Sequence, residues 1–425
     1  MRNEINDYLR AYEQMNAFSG TVLVARDGNI VLHEGYGMAN HEHEVENDVN
    51  TVFRIASISK MITAAAILLL HERGALDIDK PVGSYLPEFP VDGRMTIHHL
   101  LTHSSGLPNP VGLNTKANMK LEQVIRKFMD NPLEFIPGER FRYANSGYIL
   151  LTYLIEEVSG LKYGEFLDRY IFEPLGMNRS GYETDRRIVK HKASGYSAYE
   201  NSMVNGEFMD MSTQAGAAGL YSSAYDLYVW DQALYSDRLL SRESRMRMFT
   251  PYLHNYGYGW HIDQQVIGGT ARDRMHHGGL GEGYCTRITR FPRERVCVVT
   301  LSNFLLSPLE RINRDLASIM LGEPVSQPVH PQLSDTKQRM DYSSFAGLYE
   351  AFMPVPVAVE AGRLFITIFG FKLELFLVSE TPDQADFHAG AVYVRVSFHK
   401  NGSDKVTGAT VYWLGEDGYE ARKSG

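Results

Sequence analysis

One serine and one lysine at the entrance of an apolar segment constrain this chain more than any other feature. Ser57 and Lys60 stand three residues apart, and residues 61–70 behind them are apolar or small except for Thr63. Such a run predicts a helix buried on all sides, and it is too short to cross a bilayer. A capping box would place Glu or Gln where Lys60 stands, and the positive end of a helix disfavours a cation there. A rule broken at one point of a sequence often marks a functional site.

The pair has a chemical interpretation. Ser57 is a weak nucleophile until a base removes its proton, and a neutral lysine is such a base. For half of the Lys60 side chains to be neutral at pH 7, the pKa must fall from about 10.4 to about 7, which corresponds to about 4.6 kcal/mol. Buried lysines reach shifts of that size. The alternative is that Ser57 only caps the helix while Lys60 extends to solvent, and these residues alone leave both open. The same spacing recurs at Ser334 and Lys337, in a polar segment without such a helix.

Composition excludes several classes of protein. The 425 residues predict one large domain plus a small one. With 44% hydrophobic and 22% charged residues, the chain resembles an ordinary globular protein. A formal net charge of -9 argues against nucleic acid as a partner. No apolar stretch is long enough for a membrane span, and the first residues lack the apolar core of a signal peptide. These features predict a cytoplasmic protein, or an extracellular one if a leader was removed.

The two cysteines give no disulfide framework. Cys285 and Cys297 lie on adjacent strand-like runs, and we interpret them as buried free thiols, with a cross-strand bridge as the alternative. Residues 41–44, which read His-Glu-His-Glu, are a candidate metal site, and so is the pair His99 and His103. Residues 41–44 lack the spacing of the helical His-Glu-x-x-His motif, and a pair such as His99 and His103, four residues apart, more often hydrogen-bonds within a packed turn. We therefore expect no metal and no cofactor.

Periodicity and composition divide the chain into three parts. Residues 1–321 contain helical patterns at 4–16, 121–129, 148–158, 225–234 and 309–321, with Asn145 as a candidate cap of the third, and a hairpin signal at Asp27-Gly28-Asn29. Residues 322–341 are polar, contain three prolines and indicate a linker. Residues 342–425 carry short alternating runs at 345–349, 355–359, 364–369, 373–378, 392–398 and 408–413, which predict a small antiparallel β-domain, a barrel or curled sheet.

Two further motifs follow the serine and lysine in chain order. Tyr143 and Asn145 precede a helix, and His276 and Gly278 lie beside predicted strands, while residues 96–108 read TIHHLLTHSSGLP. In this order and context the motifs resemble those of the serine β-lactamase and penicillin-binding protein superfamily. The closer match is the class C-like branch of penicillin-binding protein homologues, D-aminoacyl peptidases and esterases. The resemblance covers about residues 18–321, and the trailing β-domain is similar to the lipocalin-like domain of some members.

The resemblance implies a fold and a role for each motif residue. The fold would be α/β, with an antiparallel sheet flanked by helices plus an all-helical lobe, and the cleft would lie between sheet and lobe. Ser57 would attack a carbonyl, while Lys60 and Tyr143 would move its proton as a coupled pair. The oxyanion would bind the backbone N–H groups of Ser57 and Gly279. Asn145 would donate to the substrate and hold Lys60 in place.

The third motif departs from its relatives. By the resemblance, His276 takes the place of a lysine and lines the cleft opposite Tyr143, with Gly278 closing the motif. His277 stands where relatives usually have Ser or Thr, so one hydroxyl for a substrate carboxylate is missing. The pattern also fits one residue later, starting at His277. The turn after the glycines is one residue longer than the usual Gly-x-Pro-Gly-aromatic turn. Both changes concern the substrate side of the cleft.

The sequence therefore predicts a serine hydrolase that acts through an acyl-enzyme on an amide or ester. D-aminoacyl peptidase, carboxypeptidase or carboxylesterase activity is expected, with small peptides or esters as substrates and β-lactams as candidate covalent ligands. Acyl transfer or weak β-lactamase activity at the same site is the first alternative. A non-catalytic penicillin-binding or sensing module is the second, and a structural protein with a relict cleft the third. The number of subunits is left open.

Overall fold

The structure is a computed structural model. It describes residues 1–89, 92–109, 119–184, 187–200, 202–328, 341–351, 354–368, 370–389, 394–401, 405–412 and 418–424.

The helices belong to the first 320 residues. In chain order they are α1 Arg2–Gln14, α2 Ser59–Glu72, α3 Ile97–Leu101, α4 Leu121–Met129, α5 Asn145–Ser159, α6 Tyr163–Leu167, α7 Glu173–Leu175, α8 Ala215–Ala218, α9 Ala224–Ala233, α10 Arg242–Met248 and α11 Leu309–Met320.

The strands form one large sheet, three small ones and a barrel. The first part of the chain contains β1 Gly20–Arg26, β2 Asn29–Tyr36, β3 Met38–Asn40, β4 Val45–Glu46, β5 Phe53–Arg54, β6 Gly181–Tyr182, β7 Tyr196–Tyr199, β8 Ser202–Asn205, β9 Leu220–Ser222, β10 His261–Ile267, β11 Thr270–Gly281, β12 Tyr284–Phe291 and β13 Val296–Ser302. The barrel contains β14 Gly347–Glu350, β15 Pro354–Glu360, β16 Arg363–Ile368, β17 Phe371–Glu380, β18 Gln384–Ala389, β19 Arg395–Lys400, β20 Val406–Tyr412 and β21 Tyr419–Lys423.

The large sheet is antiparallel and has the strand order β10-β11-β12-β13-β1-β2. Because successive side chains of a strand point to opposite faces, β1 serves two cores. Val22 and Val24 pack with α1 and α11 on one face. Leu23 and Ala25 join the core that contains α2, α5 and α9 on the other face. The sheet flanked by helices is the predicted fold.

Helix α2 lies inside the second core. Every residue of Ser59–Leu70 is buried, as the apolar run predicted. Its N-terminus is reached directly from a 3₁₀ turn, Ala56–Ile58, with no side chain capping it. The serine at position 57 therefore does not cap the helix, and that alternative is wrong.

The barrel is closed and has eight antiparallel strands in chain order, with β14 pairing β21. The sequence missed β18 and β21. Strand β18 reads Gln-Ala-Asp-Phe-His-Ala, which alternates polar and apolar residues, but two of its three apolar positions are alanines, which are uncommon in strands. Apolar barrel residues share a core with Tyr196, Phe304 and Leu305 of the first part of the chain, so the barrel is packed against it.

Several other predictions can be compared with the structure. The hairpin at residues 27–29 is confirmed, and Cys285 and Cys297 are buried thiols that form no disulfide. Asn145 is not a helix cap but the first residue of α5, preceded by Ala144. The second Ser-x-x-Lys, Ser334 to Lys337, and residues 369, 392, 393 and 413 of predicted strands lie outside the described residues. The boundaries at 321 and 342 stay predictions. Among the described residues, no helix combines the length and apolarity that a membrane crossing needs.

One buried ion pair joins α9 to the sheet, and its removal should destabilise the fold. Arg290 Nε lies 2.8 Å from Asp231 Oδ1, and both side chains are at most 2% exposed. Asp231→Asn leaves a buried guanidinium without its counter-charge, so we expect the free energy of unfolding to fall by about 3–5 kcal/mol. Urea unfolding measures it, with the exposed Asp237→Asn as control. A loss below about 1 kcal/mol, the value of a surface pair, would contradict this.

Candidate active site

The turn that carries Ser57 is held from two sides. The backbone N–H of Ile55 donates to the carbonyl of Leu220 at 3.0 Å, and the hydroxyl of Thr286 donates to the carbonyl of Ile55 at 3.0 Å. Ala56 has a φ of +44°, a left-handed conformation that an alanine rarely adopts. Such strain persists only where the surroundings fix it, and it is typical of functional sites. Ser57 is half-buried at the end of this fixed turn.

Lys60 is completely buried and has three polar neighbours. Its Nζ lies 3.2 Å from Ser57 Oγ, 2.9 Å from Asn145 Oδ1 and 2.8 Å from the carbonyl oxygen of Ala217. Burial lowers the pKa of Lys60 well below its ordinary value. In the described part of the chain no carboxylate forms an ion pair with it. The alternative of an amine that extends to solvent is therefore wrong.

The three neighbours can satisfy either form of the amine. An ammonium would donate to all three oxygens. An uncharged amino group has two N–H donors, which the carbonyl of Ala217 and the side-chain oxygen of Asn145 can accept, and a lone pair that can accept the hydrogen of the Ser57 hydroxyl. Burial is therefore what favours the neutral form, and the site provides partners for it.

Tyr143 stands beside both residues. Its ring centroid is 4.7 Å from Lys60 Nζ, and its hydroxyl shares a hydrogen bond with Ser57. Burial raises the pKa of Tyr143, and the hydrogen bond with Ser57 lowers it in part. At neutral pH the phenol is consequently protonated and can donate. The structure therefore brings Ser57, Lys60 and Tyr143 together, as the sequence predicted.

The loop that carries Tyr143 is fixed by residues that the sequence reasoning did not assign to the site. The backbone N–H of Ala144 donates to Nδ1 of buried His103 at 3.2 Å, and the His103 ring lies 4.3 Å from the Tyr143 ring. The backbone N–H of Asn145 donates to Asn109 Oδ1 at 2.7 Å. Because Asn145 opens α5 without capping it, its side chain is available to Lys60. The only sequence signal for His103 was its place in the motif of residues 96–108.

Strand β11 passes next to the serine turn at Gly279. A Cβ atom at this position would come within 2.3 Å of the Ile55 carbonyl oxygen and 2.4 Å of Thr286 Oγ1, so a side chain does not fit. At Gly278 the nearest atom, on Arg287, would be 3.4 Å away. Gly279 is thus the residue whose backbone approaches the turn, and its role as an oxyanion donor stays a prediction.

The two histidines of β11 point to opposite faces of the strand. His277 is buried, its Nε2 lies 3.0 Å from the hydroxyl of Tyr256, and its ring lies 6.2 Å from that of Tyr143. His276 instead contacts Asp263 at 3.2 Å and Arg287 at 3.0 Å. The prediction placed His276 opposite Tyr143, with His277 as the alternative, and the structure has His277 at that position. The alternation of side chains along a strand is the reason.

Both histidines are neutral at pH 7. Burial lowers the pKa of His276 to about 3, although Asp263 opposes that effect. Burial also lowers the pKa of His277 well below its ordinary value. Within the described residues, no group of three or more His, Cys, Asp and Glu side chains is arranged to hold a metal ion.

This arrangement, on an antiparallel sheet with a buried helix behind the serine, defines the class of the protein. Residues 5–319 match the family model described as Beta-lactamase. The chain therefore belongs to the β-lactamase family, a family of serine hydrolases.

Particular relatives extend the similarity over the whole chain. The chain is 31% identical to penicillin-binding protein 4* of Bacillus subtilis (strain 168), over 99% of this chain and 97% of that protein. It resembles the structure of the octameric penicillin-binding protein homologue from Pyrococcus abyssi, with a TM-score of 0.68, 24% identity and 99% of each chain covered. It also resembles D-amino acid amidase from Ochrobactrum anthropi SV3, with a TM-score of 0.65, 20% identity, and 74% of this chain and 99% of that one covered. The last two similarities concern the fold.

The buried amine makes stability depend on pH. Since the unfolded chain keeps the proton of Lys60 up to about pH 10.4 while burial removes it, wild-type stability should rise with pH in this range. We therefore expect the difference in free energy of unfolding between wild type and Lys60→Met to shift in favour of wild type by up to about 1.4 kcal/mol per pH unit.

Denaturant unfolding at pH 7 and pH 9 measures this shift. The exposed Lys80→Met is the matched control, and its difference from wild type in free energy of unfolding should be the same at both pH values. An equal difference at both pH values would mean that Lys60 stays protonated in the folded protein.

Proposed function

We propose that this protein is a serine hydrolase that forms an acyl-enzyme at Ser57, with a D-aminoacyl peptide or a small ester as substrate. The observation that carries the proposal is the 3.2 Å contact between Lys60 Nζ and Ser57 Oγ at a fully buried amine. A lysine in that environment is a base at neutral pH, and a serine within its reach is an activated nucleophile.

The proposed reaction has two halves. Ser57 Oγ attacks the carbonyl carbon, and its proton passes to the coupled pair Lys60 and Tyr143. The oxyanion accepts hydrogen bonds from the backbone N–H groups of Ser57 and Gly279, where loss of one donor typically lowers the rate by about 10²–10³. The pair then returns the proton to the leaving amine or alcohol, which departs. Water attacks the acyl-enzyme and gives one proton to the pair. The pair passes that proton to Ser57 Oγ as the bond between Ser57 and the acyl group breaks, and the acid is released.

Other residues of the site receive roles in binding. Asn145 orients Lys60 through their 2.9 Å contact and is free to donate its amide hydrogens to the substrate. We assign the side of the cleft opposite Tyr143 to His277, with Gly278 as backbone wall, and give His276 the role of orienting β11 through Asp263 and Arg287. No hydroxyl precedes Gly278, so we expect weaker recognition of a substrate carboxylate than a serine or threonine there would give.

The substrate proposal rests on the relatives and on the family. The full-length relative is a penicillin-binding protein, which supports β-lactams as covalent ligands of Ser57. The D-amino acid amidase shares the fold and shows that this scaffold hosts an amidase of D-amino acids. Turnover of a β-lactam needs fast deacylation as well as acylation, so we place peptides and esters first. A sensing module would instead release one equivalent of product and stop.

The nucleophile can be tested directly. Because Ser57 is proposed to carry the acyl group, Ser57→Ala should lower hydrolysis of p-nitrophenyl acetate by more than about 10³-fold while the protein stays folded. A fluorophosphonate should add one adduct to the intact mass of wild type, mapped to the peptide with Ser57. The exposed Ser84→Ala is the control and should behave as wild type. Retained turnover by Ser57→Ala would remove the assignment.

The role of the phenol is separable from its packing. Tyr143→Phe keeps the ring against His103 but loses the hydroxyl that bonds Ser57, so kcat should fall by about 10²–10⁴ with little change in KM. The matched control is Tyr258→Phe, which removes a hydroxyl that bonds His98.

The wild-type rate should rise with pH as the coupled pair loses its proton. A flat profile between pH 6 and 9, or an unchanged kcat in Tyr143→Phe, would exclude the pair as the proton carrier.

A further inference from the structure

A second cleft opens where the barrel meets the first part of the chain. It encloses about 240 Å³ and lies between the hairpin β7–β8, the β11–β12 turn and the start of β17. Its apolar lining residues include Tyr199, Phe208 and Leu305, with Phe371 on the barrel side. Tyr199 is 53% exposed and Phe208 is 64% exposed. Clustered exposed aromatic side chains beside a cavity usually mark a binding surface.

The contacts around the cleft are fixed rather than loose. The backbone N–H of Tyr196 donates to the carbonyl of Gly283 at 3.2 Å, which ties β7 to the β11–β12 turn. The backbone N–H of Glu200 donates to the carbonyl of Lys372 at 2.7 Å, which ties the hairpin to the barrel. A Cβ at Gly206 would lie 2.5 Å from the carbonyl oxygen of Glu282, so the hairpin approaches the turn as closely as a backbone can. The cleft is therefore formed jointly by both parts of the chain.

The ionisable side chains in the described lining of this cleft are acidic. Glu207 and Glu282 line it, and its described lining contains no lysine or arginine. Within the described part of the chain, no hydrogen bond or ion pair reaches the Glu282 carboxylate. The neighbouring cations are already engaged. Arg54 is bound by both oxygens of Glu183, and Lys372 contacts Glu200 and Glu360.

The cleft lies at the end of strand β11, the strand that passes next to the serine turn. A Cβ at Gly279 would be 3.1 Å from Ala56 Cβ, and one at Gly281 would be 4.0 Å from the same atom. Glu282 follows directly. At about 3.3 Å per residue, its Cα lies at most about 10 Å from that of Gly279. One peptide residue plus an extended lysine side chain spans such a distance.

We propose that this cleft binds a positively charged, apolar-stemmed group of the peptide substrate, an amine such as that of a lysine side chain, with Glu282 as its counter-charge and Phe371 of the barrel as part of its wall. The proposal rests on the proposed function, because it names the substrate class of the same site. It gives the barrel a part in substrate selection. The burial that raises the pKa of Glu282 to about 7 is opposed by Arg54 and increased by Glu183 and Glu207, and a bound cation would lower it.

Binding can be measured without catalysis. The probe is a short peptide amide with lysine next to the residue whose carbonyl would be attacked, compared with the same peptide carrying Nε-acetyllysine. In full-length Ser57→Ala, calorimetry should show about tenfold tighter binding of the lysine peptide, the scale of one partly desolvated charge-assisted contact. Adding Glu282→Gln should reduce the preference to within about twofold. Adding Glu88→Gln, an exposed carboxylate outside the cleft, should preserve it.

Three further readouts separate the causes. Phe371→Ala should weaken both peptides alike, since it removes apolar contact and no charge. The preference should grow from pH 6 to pH 8 in the presence of Glu282 and stay flat in Glu282→Gln. Hydrolysis of p-nitrophenyl acetate by Glu282→Gln should stay within about twofold of wild type.

No preference for the lysine peptide, or a preference unchanged by Glu282→Gln, would overturn the proposal. Failure of Ser57 as nucleophile would appear only in the hydrolysis assays.

Discussion

The burial of one amine is the constraint on which the rest of the site depends. Lys60 is surrounded by helices α2, α5 and α8, and no carboxylate among the described residues compensates its charge. Desolvation of an ammonium in such a position is worth several kcal/mol, so the protein keeps the neutral form. The three polar neighbours of Lys60 are compatible with the neutral form. Asn145 and Ala217 can accept its two hydrogens, and the Ser57 hydroxyl can donate to its lone pair.

The residues around Lys60 hold Tyr143 in place without adding a charged side chain. Tyr143 is held by the His103 ring and by the backbone contact of the next residue, and both histidines that approach it are neutral through burial. A protonated histidine would disfavour protonation of Lys60 during the reaction, and a carboxylate would lock the lysine as ammonium. Among the described residues, the polar neighbours of the amine therefore carry no fixed charge of either sign, which is what the proposed proton transfer between Ser57, Lys60 and Tyr143 requires.

The sequence predicted most of this fold and most of the groups at the site. Long periodic segments such as Leu121–Met129 and the apolar run of α2 were unambiguous, and the three motifs met as expected. The errors have physical causes. Strand β18 alternates polar and apolar residues, but two of its three apolar residues are alanines, which give a weak strand signal. Asn145 is a residue type that often caps helices, but its side chain contacts Lys60 instead. The choice between His276 and His277 depended on which face of β11 meets the cleft, and only the register of the strand fixes that.

The end of strand β11 meets two structural requirements within a few residues, from Gly279 to Glu282. At Gly279 the backbone must approach the serine turn, so no side chain is tolerated. Beyond Gly281 the same strand must end in a turn that meets the β7–β8 hairpin, and there Glu282 has a φ of +45°. The turn at residues 280–284, with two glycines and a glutamate, satisfies both requirements. Glu282 and Gly283 line the cleft beside the barrel, whereas Gly279 lies against the serine turn. Under the proposed function, variation in this turn would therefore change what binds in the cleft while Ser57, Lys60 and Tyr143 stay in place.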